Sequence, residues 1–198
     1  RHALVSALVG GNNVTAMTAA LASDSRAVRL GLLLAFRRLQ NPLAAKFLND
    51  ADPYIVREAA LAINDAPIPA AYPQLAALLD KSPSDQAVAL RALNAHFRLG
   101  QPVNAAALAA YAARANAPEK YRAEAVAQLA HWPTPPARDR LVGIYRPVAT
   151  ATRDASVAVN ATLPILPALL EAKTPSLVQG AALRLVDSLE IKAAARDP

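Results

Sequence analysis

Cysteine is absent from this sequence, glycine occurs only 6 times in 198 residues, and aromatic side chains make up 5%. Without cysteine the chain has no disulfide, no zinc–thiolate centre and no covalently attached haem of its own. It contains no Gly-x-Gly-x-x-Gly turn, phosphate-cradling loop or Gly-x-Ser-x-Gly nucleophile elbow. Long apolar runs are missing as well. The stretch free of Asp, Glu, Lys and Arg from His2 to Ser23 is interrupted by Gly-Gly-Asn-Asn at 10–13. The run Ala155–Leu170 is short and carries Asn160, Pro164 and Pro167, so neither reads as a membrane span. No secretory leader pattern is visible. The sequence starts inside an apolar helical pattern, "RHALVSALV", and reads as a piece of something longer or a processed product.

What is abundant is alanine, 49 residues, and proline, 16. Alanine is the strongest helix former and proline a helix interrupter, so the composition points to many short helices rather than sheets. The net charge of +6 is spread evenly: residues 1–99 carry 10 basic and 7 acidic groups, and residues 100–198 carry 11 and 8. A nucleic-acid surface concentrates its positive charge, so this even surplus reads as a solvated exterior, and nucleic acid is not the expected partner.

An internal repeat organises the chain. Positions four, seven and eleven beyond a starting residue lie on one face of a helix. Val28, Leu32, Ala35 and Leu39 form one such set, and Val56, Ala60 and Ile63 form a second, cut off by Pro67. Val88, Ala92, Ala95 and Leu99 form a third. Tyr121, Ala125, Gln128 and Trp132 form a fourth, with Gln128 the misfit, and Val178, Ala182, Leu185 and Leu189 a fifth. The starts are spaced by 28, 32, 33 and 57 residues, the last about two repeats. Shorter apolar segments precede these helices at 14–21, 43–48, 68–79, 103–111 and 157–170. The unit is therefore a helical hairpin, repeated about six times. One hairpin cannot bury both of its apolar faces alone, whereas a stack can. The expected fold is all-α, an α-solenoid with 1–198 as a single repeat domain.

The repeated Asn-Asp at 49–50 and 64–65 reads as a helix exit. Asp52-Pro53 reads as an entry, an N-cap followed by proline at the first helical position. Gly10-Gly11 reads as a helix stop. Asp24 and Asp52 each stand five residues before an arginine, Arg29 and Arg57, which resembles the Asp and Val-Arg pattern that ties HEAT repeats together. Ala89 and Gln179 replace that arginine later in the chain. The proline-rich stretch "HWPTPPARDRLVGIYRPVATATRD" breaks the rhythm; an irregular insertion is expected at 133–152, with a short helix near 138–145 and a projecting element. Pro164 and Pro167 are expected to split the helix that follows.

Little here points to catalysis. None of His2, His96 and His131 has a second histidine or a carboxylate at metal-binding helical spacing. His96 beside Phe97 reads as structural, Trp132 as packing, and Arg37-Arg38 as a solvated face. Glu58 and Glu124 read as solvated or paired with an arginine. No catalytic, metal or cofactor residue is expected. The candidate contact residues of a concave face are Arg57, Asn64, Asn94 and Arg98, with a bond from Asn94 to a neighbouring loop as the alternative for that residue.

The phrases "RRLQNPLAAKFLNDADPYIVREAALAINDAPI", "ALNAHFRLGQPVNAAALAAYAARANAPEKYRAEAVAQLAHWP" and "RDRLVGIYRP" resemble the HEAT-repeat segment of large secreted bacterial proteins classed as membrane-bound dehydrogenases, of planctomycete and verrucomicrobial type. The resemblance covers roughly residues 30–150. In that family a propeller similar to sugar dehydrogenases precedes the repeats and a c-type cytochrome domain follows them. The resemblance implies a non-catalytic connector in an extracytoplasmic, periplasmic redox protein, with any haem c or quinone cofactor in the neighbouring domains. A free-standing protein-binding scaffold is the alternative. A HEAT-like nucleic-acid binder and a small enzyme with an unrecognised site follow behind.

Overall fold

The computed structural model describes residues 2–148 and 152–191, and the backbone alone of His2. Among these residues the regular structure is helical, and the single extended pairing is an isolated antiparallel bridge between Arg138 and Tyr145. Where the sequence reading has one domain over 1–198, contacts divide the chain into two compact units, Arg1–Ala95 and His96–Pro198.

The first unit holds α1 (His2–Gly11), α2 (Val14–Ala19), α3 (Arg26–Arg38), α4 (Pro53–Asp65), α5 (Tyr72–Ala76) and the part of α6 (Gln86–Leu99) up to Ala95. Short polar side chains start these helices by accepting otherwise unpaired amide protons. Asn13 accepts from Ala16, Ser25 from Val28, Asp52 from Tyr54, and Asp85 from Ala87 and Val88. Both Asn-Asp pairs stand at helix exits: Asn49 closes a 3₁₀ segment, Pro42–Asn49, and Asp65 closes α4. The glycines at 10 and 11 are the last residues of α1, but the left-handed residue that turns the chain is Asn12, at φ 40°. The segment at 68–79 is broken into 3₁₀ turns on either side of α5, as its prolines require.

Leu33, Phe36, Ile55, Ile63, Ile68, Leu75, Leu79 and Leu93 form the core of this unit. Phe36 meets Phe47 with ring centroids 6.4 Å apart. The 3₁₀ segment Pro42–Asn49 packs on α3 and α4, and α1 packs on α3.

The second unit holds the end of α6, α7 (Pro102–Ala113), α8 (Glu119–Ala130), α9 (Ala155–Thr162), α10 (Leu166–Leu169) and α11 (Ser176–Ser188). Helix α8 is its centre, covered by α7 and α11, with α9 against α7. The expected split at Pro164 separates α9 from α10. Alanine at the plus-four position serves close packing in both units: Ala60, Ala92, Ala125 and Ala182 are all fully buried.

Between α8 and α9 the described residues form no helix. The short helix expected near 138–145 is replaced by a tight hairpin. Asp139 N donates to Ile144 O at 2.9 Å, Arg146 N donates to Ala137 O at 2.9 Å, and Gly143 takes φ +72°. The Asp139 carboxylate accepts from the amides of Leu141 (2.9 Å) and Val142 (3.1 Å). That local turn competes with a helix for the same backbone donors and wins.

Candidate functional site

Two polar networks stand out, one in each unit. In the first unit, Arg91 of α6 grips Asp65 with Nε on Oδ1 at 3.0 Å and Nη2 on Oδ2 at 2.7 Å. Asn64 Nδ2 donates to the same Asp65 Oδ1 at 2.9 Å, and Asn94 Nδ2 donates to Asn64 Oδ1 at 2.9 Å. The Asn64-Asp65 exit of α4 is thus the bolt that joins α4 to α6. The earlier exit works the same way: Arg29 of α3 binds Asp50 through Nε (2.7 Å) and Nη2 (3.2 Å). Arg29 reaches only the main-chain oxygen of Asp24, and Asp52 pairs with Arg26. The polar ladder therefore runs between an arginine on one helix and the aspartate of a neighbouring exit, not along the five-residue spacing within one repeat.

This geometry corrects the expected contact surface. Asn64 and Asn94 are 0% and 2% exposed, and Asn94 Nδ2 bonds Asn64 Oδ1, so neither stands on an open surface. The side chain of Arg98 is 11% exposed and committed to Asp139. Of the four candidates only Arg57 is exposed. Asn64→Ala is expected to cost about 1–3 kcal/mol, because it removes the buried bonds from Asn94 Nδ2 to Asn64 Oδ1 and from Asn64 Nδ2 to Asp65. Urea unfolding followed by far-UV circular dichroism measures the loss, and an unchanged midpoint would refute the bolt.

In the second unit the hairpin is pinned from two sides. The Asp139 side chain is fully buried; it pairs with Arg146 of the hairpin and with Arg98 of α6, whose Nη1 lies 3.3 Å from Oδ2. The same Arg98 Nη1 donates to Arg146 O at 3.2 Å. On the other side Arg140 forms a fork on Glu124 of α8, Nε at 3.0 Å and Nη2 at 2.9 Å. Gln128, the misfit in the fourth apolar set, donates to Glu124 Oε1 at 3.2 Å and so supports that fork from the buried side. That bond accounts for its amide nitrogen, while its buried Oε1 has no hydrogen-bond partner among the described residues.

Arg153 closes the cluster. Its Nη1 donates to Phe97 O at 2.7 Å, and its guanidinium lies 4.8 Å from the centroid of Trp132 and 5.1 Å from that of Phe97. Trp132 is 1% exposed and meets Phe97 edge-on at 6.2 Å, so it packs as expected. Gly100, at φ +68°, permits this approach: a β-carbon there would come within 2.7 Å of the Arg153 Cζ. His96 is 9% exposed, with Nδ1 3.1 Å from Asn104 Nδ2, while Asn104 Oδ1 accepts from Gln101 N at 3.0 Å. It fastens the turn from α6 to α7, a structural role.

His131 ends α8 beside Arg140 and Glu124. Partial desolvation, and then the Arg140 charge, lower its pKa, with Glu124 acting the other way. The unfolded chain therefore takes up this proton first as the pH falls. The contribution of His131 to stability is whole above the ordinary imidazole value of about 6.5 and is lost as the pH drops from there towards the folded value. The imidazole resonance of His131 is expected to titrate below that value. Stability between pH 7.5 and 5.5 should fall less in His131→Gln than in the parent, and an equal fall would contradict the assignment.

No protein-family model, curated protein or solved structure matches the chain. The chemistry of its own surfaces has to carry the reading. An apolar hollow of about 280 Å³ between α1, α2 and α3, lined by Leu4, Leu8, Met17, Val28 and Leu32, has Asn13 as its one polar side chain. Among the described residues, no group of three or more His, Asp or Glu is placed to hold a metal ion, and no helix is long and apolar enough to cross a membrane. Sequence reasoning missed Asp139, Arg146 and Arg153. The one signal was the density of charge in a proline-rich loop, which by itself reads as solvation.

Proposed function

We propose that this chain is a non-catalytic helical-repeat scaffold that holds a protein partner or adjacent domains of its own polypeptide, with the hairpin between α8 and α9 as its contact element. The observation that carries this is the hairpin itself. It is fastened by Asp139 and by Glu124, yet it displays Ile144 at 48% and Tyr145 at 73% exposure. The fastening holds Ile144 and Tyr145 in a fixed, exposed position where the surface of a partner can cover them. Rigid exposed aromatics also make strong interface anchors because little entropy is lost when they dock. Stacked helical hairpins supply the extended surface that such scaffolds use.

Within this reading, the resemblance of residues 30–150 favours a connector between a dehydrogenase-like propeller and a c-type cytochrome domain in a larger secreted redox protein. The haem c or quinone would then belong to the neighbours and the location would be extracytoplasmic. Intact mass and an absorption spectrum of the gene product from its own cell test that setting. A mass well above 20.8 kDa with a haem Soret band supports it, and a colourless product of this mass overturns it. The scaffold itself is tested by Ile144→Ser with Tyr145→Ser. A stoichiometric complex isolated from the native cell should dissociate in this variant while its circular dichroism is kept; an intact complex would remove the hairpin from the interface.

A further inference from the structure

Arg29 and Arg91 share one arrangement. Arg29 places Nη1 on the main-chain oxygen of Ser23 at 2.9 Å and turns its Nε–Nη2 edge to the Asp50 carboxylate. Arg91 places Nη1 on Ala87 O at 3.2 Å and turns the same edge to Asp65. Arg140 also uses this edge, on Glu124. The two parallel N–H groups of the edge match the two oxygens of a carboxylate, which makes the pairing directional as well as strong.

Arg153 has the first half of this arrangement and lacks the second. Its Nη1 is held by Phe97 O, its main-chain N donates to Pro133 O at 2.9 Å, and its guanidinium is set between Gly100 and the rings of Phe97 and Trp132. Among the described residues no carboxylate lies within ion-pair distance of it. The two aspartates of 131–154 are engaged elsewhere: Asp139 accepts from Arg98, Arg146 and two amides, while the Asp154 carboxylate accepts from Ser156 N at 2.8 Å, at the start of α9. Residues 131–154 contain four arginines against these two aspartates, and Arg153 is half-buried. Desolvation, and then the charge of Arg98, lower the pKa of Arg153, the direction expected of a cation held without its counter-ion.

We propose that the Nε–Nη2 edge of Arg153 is a docking point for a carboxylate carried by an acidic segment of a protein partner. The proposal rests on the scaffold reading and adds the chemistry of what is held. The positioning is already made: aromatic rings, a glycine and a carbonyl fix the guanidinium, so little order remains to be imposed when the carboxylate arrives. Among the described residues no negative group meets this edge, and an aspartate, a glutamate or a chain end of the partner supplies one.

Trp132 is the only tryptophan and touches Arg153, so its emission reports on this site. The full chain would be titrated at fixed ionic strength with a capped hexaglutamate peptide, with hexaglutamine and with inorganic phosphate. Trp132 emission and the Arg153 Nε–H resonance would both be followed. Hexaglutamate is expected to give a saturable change in both, and hexaglutamine none. Arg153→Lys keeps the charge but loses the fork, and should weaken the response at least about tenfold. Arg57→Lys should bind as the parent does. Equal binding by Arg153→Lys, a motionless Arg153 resonance, or a response to phosphate alone would each overturn the proposal. Should the titration fail while the Ile144/Tyr145 variant still loses its native complex, the carboxylate site falls and the scaffold reading stands.

Discussion

Asp139→Ala is expected to lower the stability of the second unit by about 3–5 kcal/mol, the cost of removing one partner from a buried charge pair. The carboxylate is 0% exposed, and the side chains of Arg98 and Arg146 are 11% and 10% exposed. Its loss takes the shared carboxylate away from the guanidinium groups of Arg98 and Arg146. It also removes the acceptor for the Leu141 and Val142 amides, which shape the hairpin turn. Asp139→Asn separates the two effects, since its amide oxygen can still serve those amides while the negative charge is gone. The asparagine variant should therefore lie between the parent and the alanine variant. The Arg98→Ala/Asp139→Ala double variant should lose less than the sum of the single changes, because residues in direct contact are coupled. Urea unfolding followed by Trp132 fluorescence reports on this unit directly. A loss below about 1 kcal/mol in Asp139→Ala would place the pair in the class of solvated ion pairs and refute its role as the fastening of the hairpin.

Trp132→Ala is the second change with a large expected effect, about 3–5 kcal/mol, as for a large aromatic removed from a packed core. Trp132 fills the space beyond the end of α8, edge-on to Phe97, and carries the guanidinium of Arg153 on its face. The alanine variant empties that space and also frees Arg153, whose stacking is worth about 0.5–2 kcal/mol by itself. Trp132→Phe keeps most of the apolar volume and should lose much less. Far-UV circular dichroism is the readout here, because the fluorophore is gone. If the alanine variant unfolds at the parent's urea midpoint, Trp132 is a surface decoration and its near-complete burial has no energetic meaning.

Both predictions concern residues whose partners lie far away in sequence, and this marks the boundary of what could be read beforehand. The all-α class, the start at Asp52, the exits at 49–50 and 64–65, and the split at Pro164 follow from local chemistry. Caps, proline geometry and the 3.6-residue period act over four residues or fewer, so they are visible in the string of residues. The buried stripe Ala60, Ala92, Ala125 and Ala182 was visible for the same reason. The helix expected near 138–145 failed although its residues permit one, because the Asp139 carboxylate offers the backbone a competing turn and is itself held by Arg98, 41 residues away.

Which charges meet was not legible. Arg29 had Asp24 as its partner by sequence pattern, and packing of α3 beside the 3₁₀ segment gave it the carboxylate of Asp50. Asn64, Asn94 and Arg98 looked like surface residues by their polarity, since burial of a polar group is favourable only when a partner is present, and the partner is a property of the fold. The sequence by itself determined that this protein is a set of short helices with alanine at the close contacts and marked ends. The tertiary structure alone decided which aspartate an arginine holds, that the proline-rich insertion closes into a hairpin, and that Arg153 has a carboxylate-shaped edge with no carboxylate on it among the described residues. Helix formation is governed by neighbours along the chain, whereas a charge is satisfied by whatever packing brings within 3 Å of it.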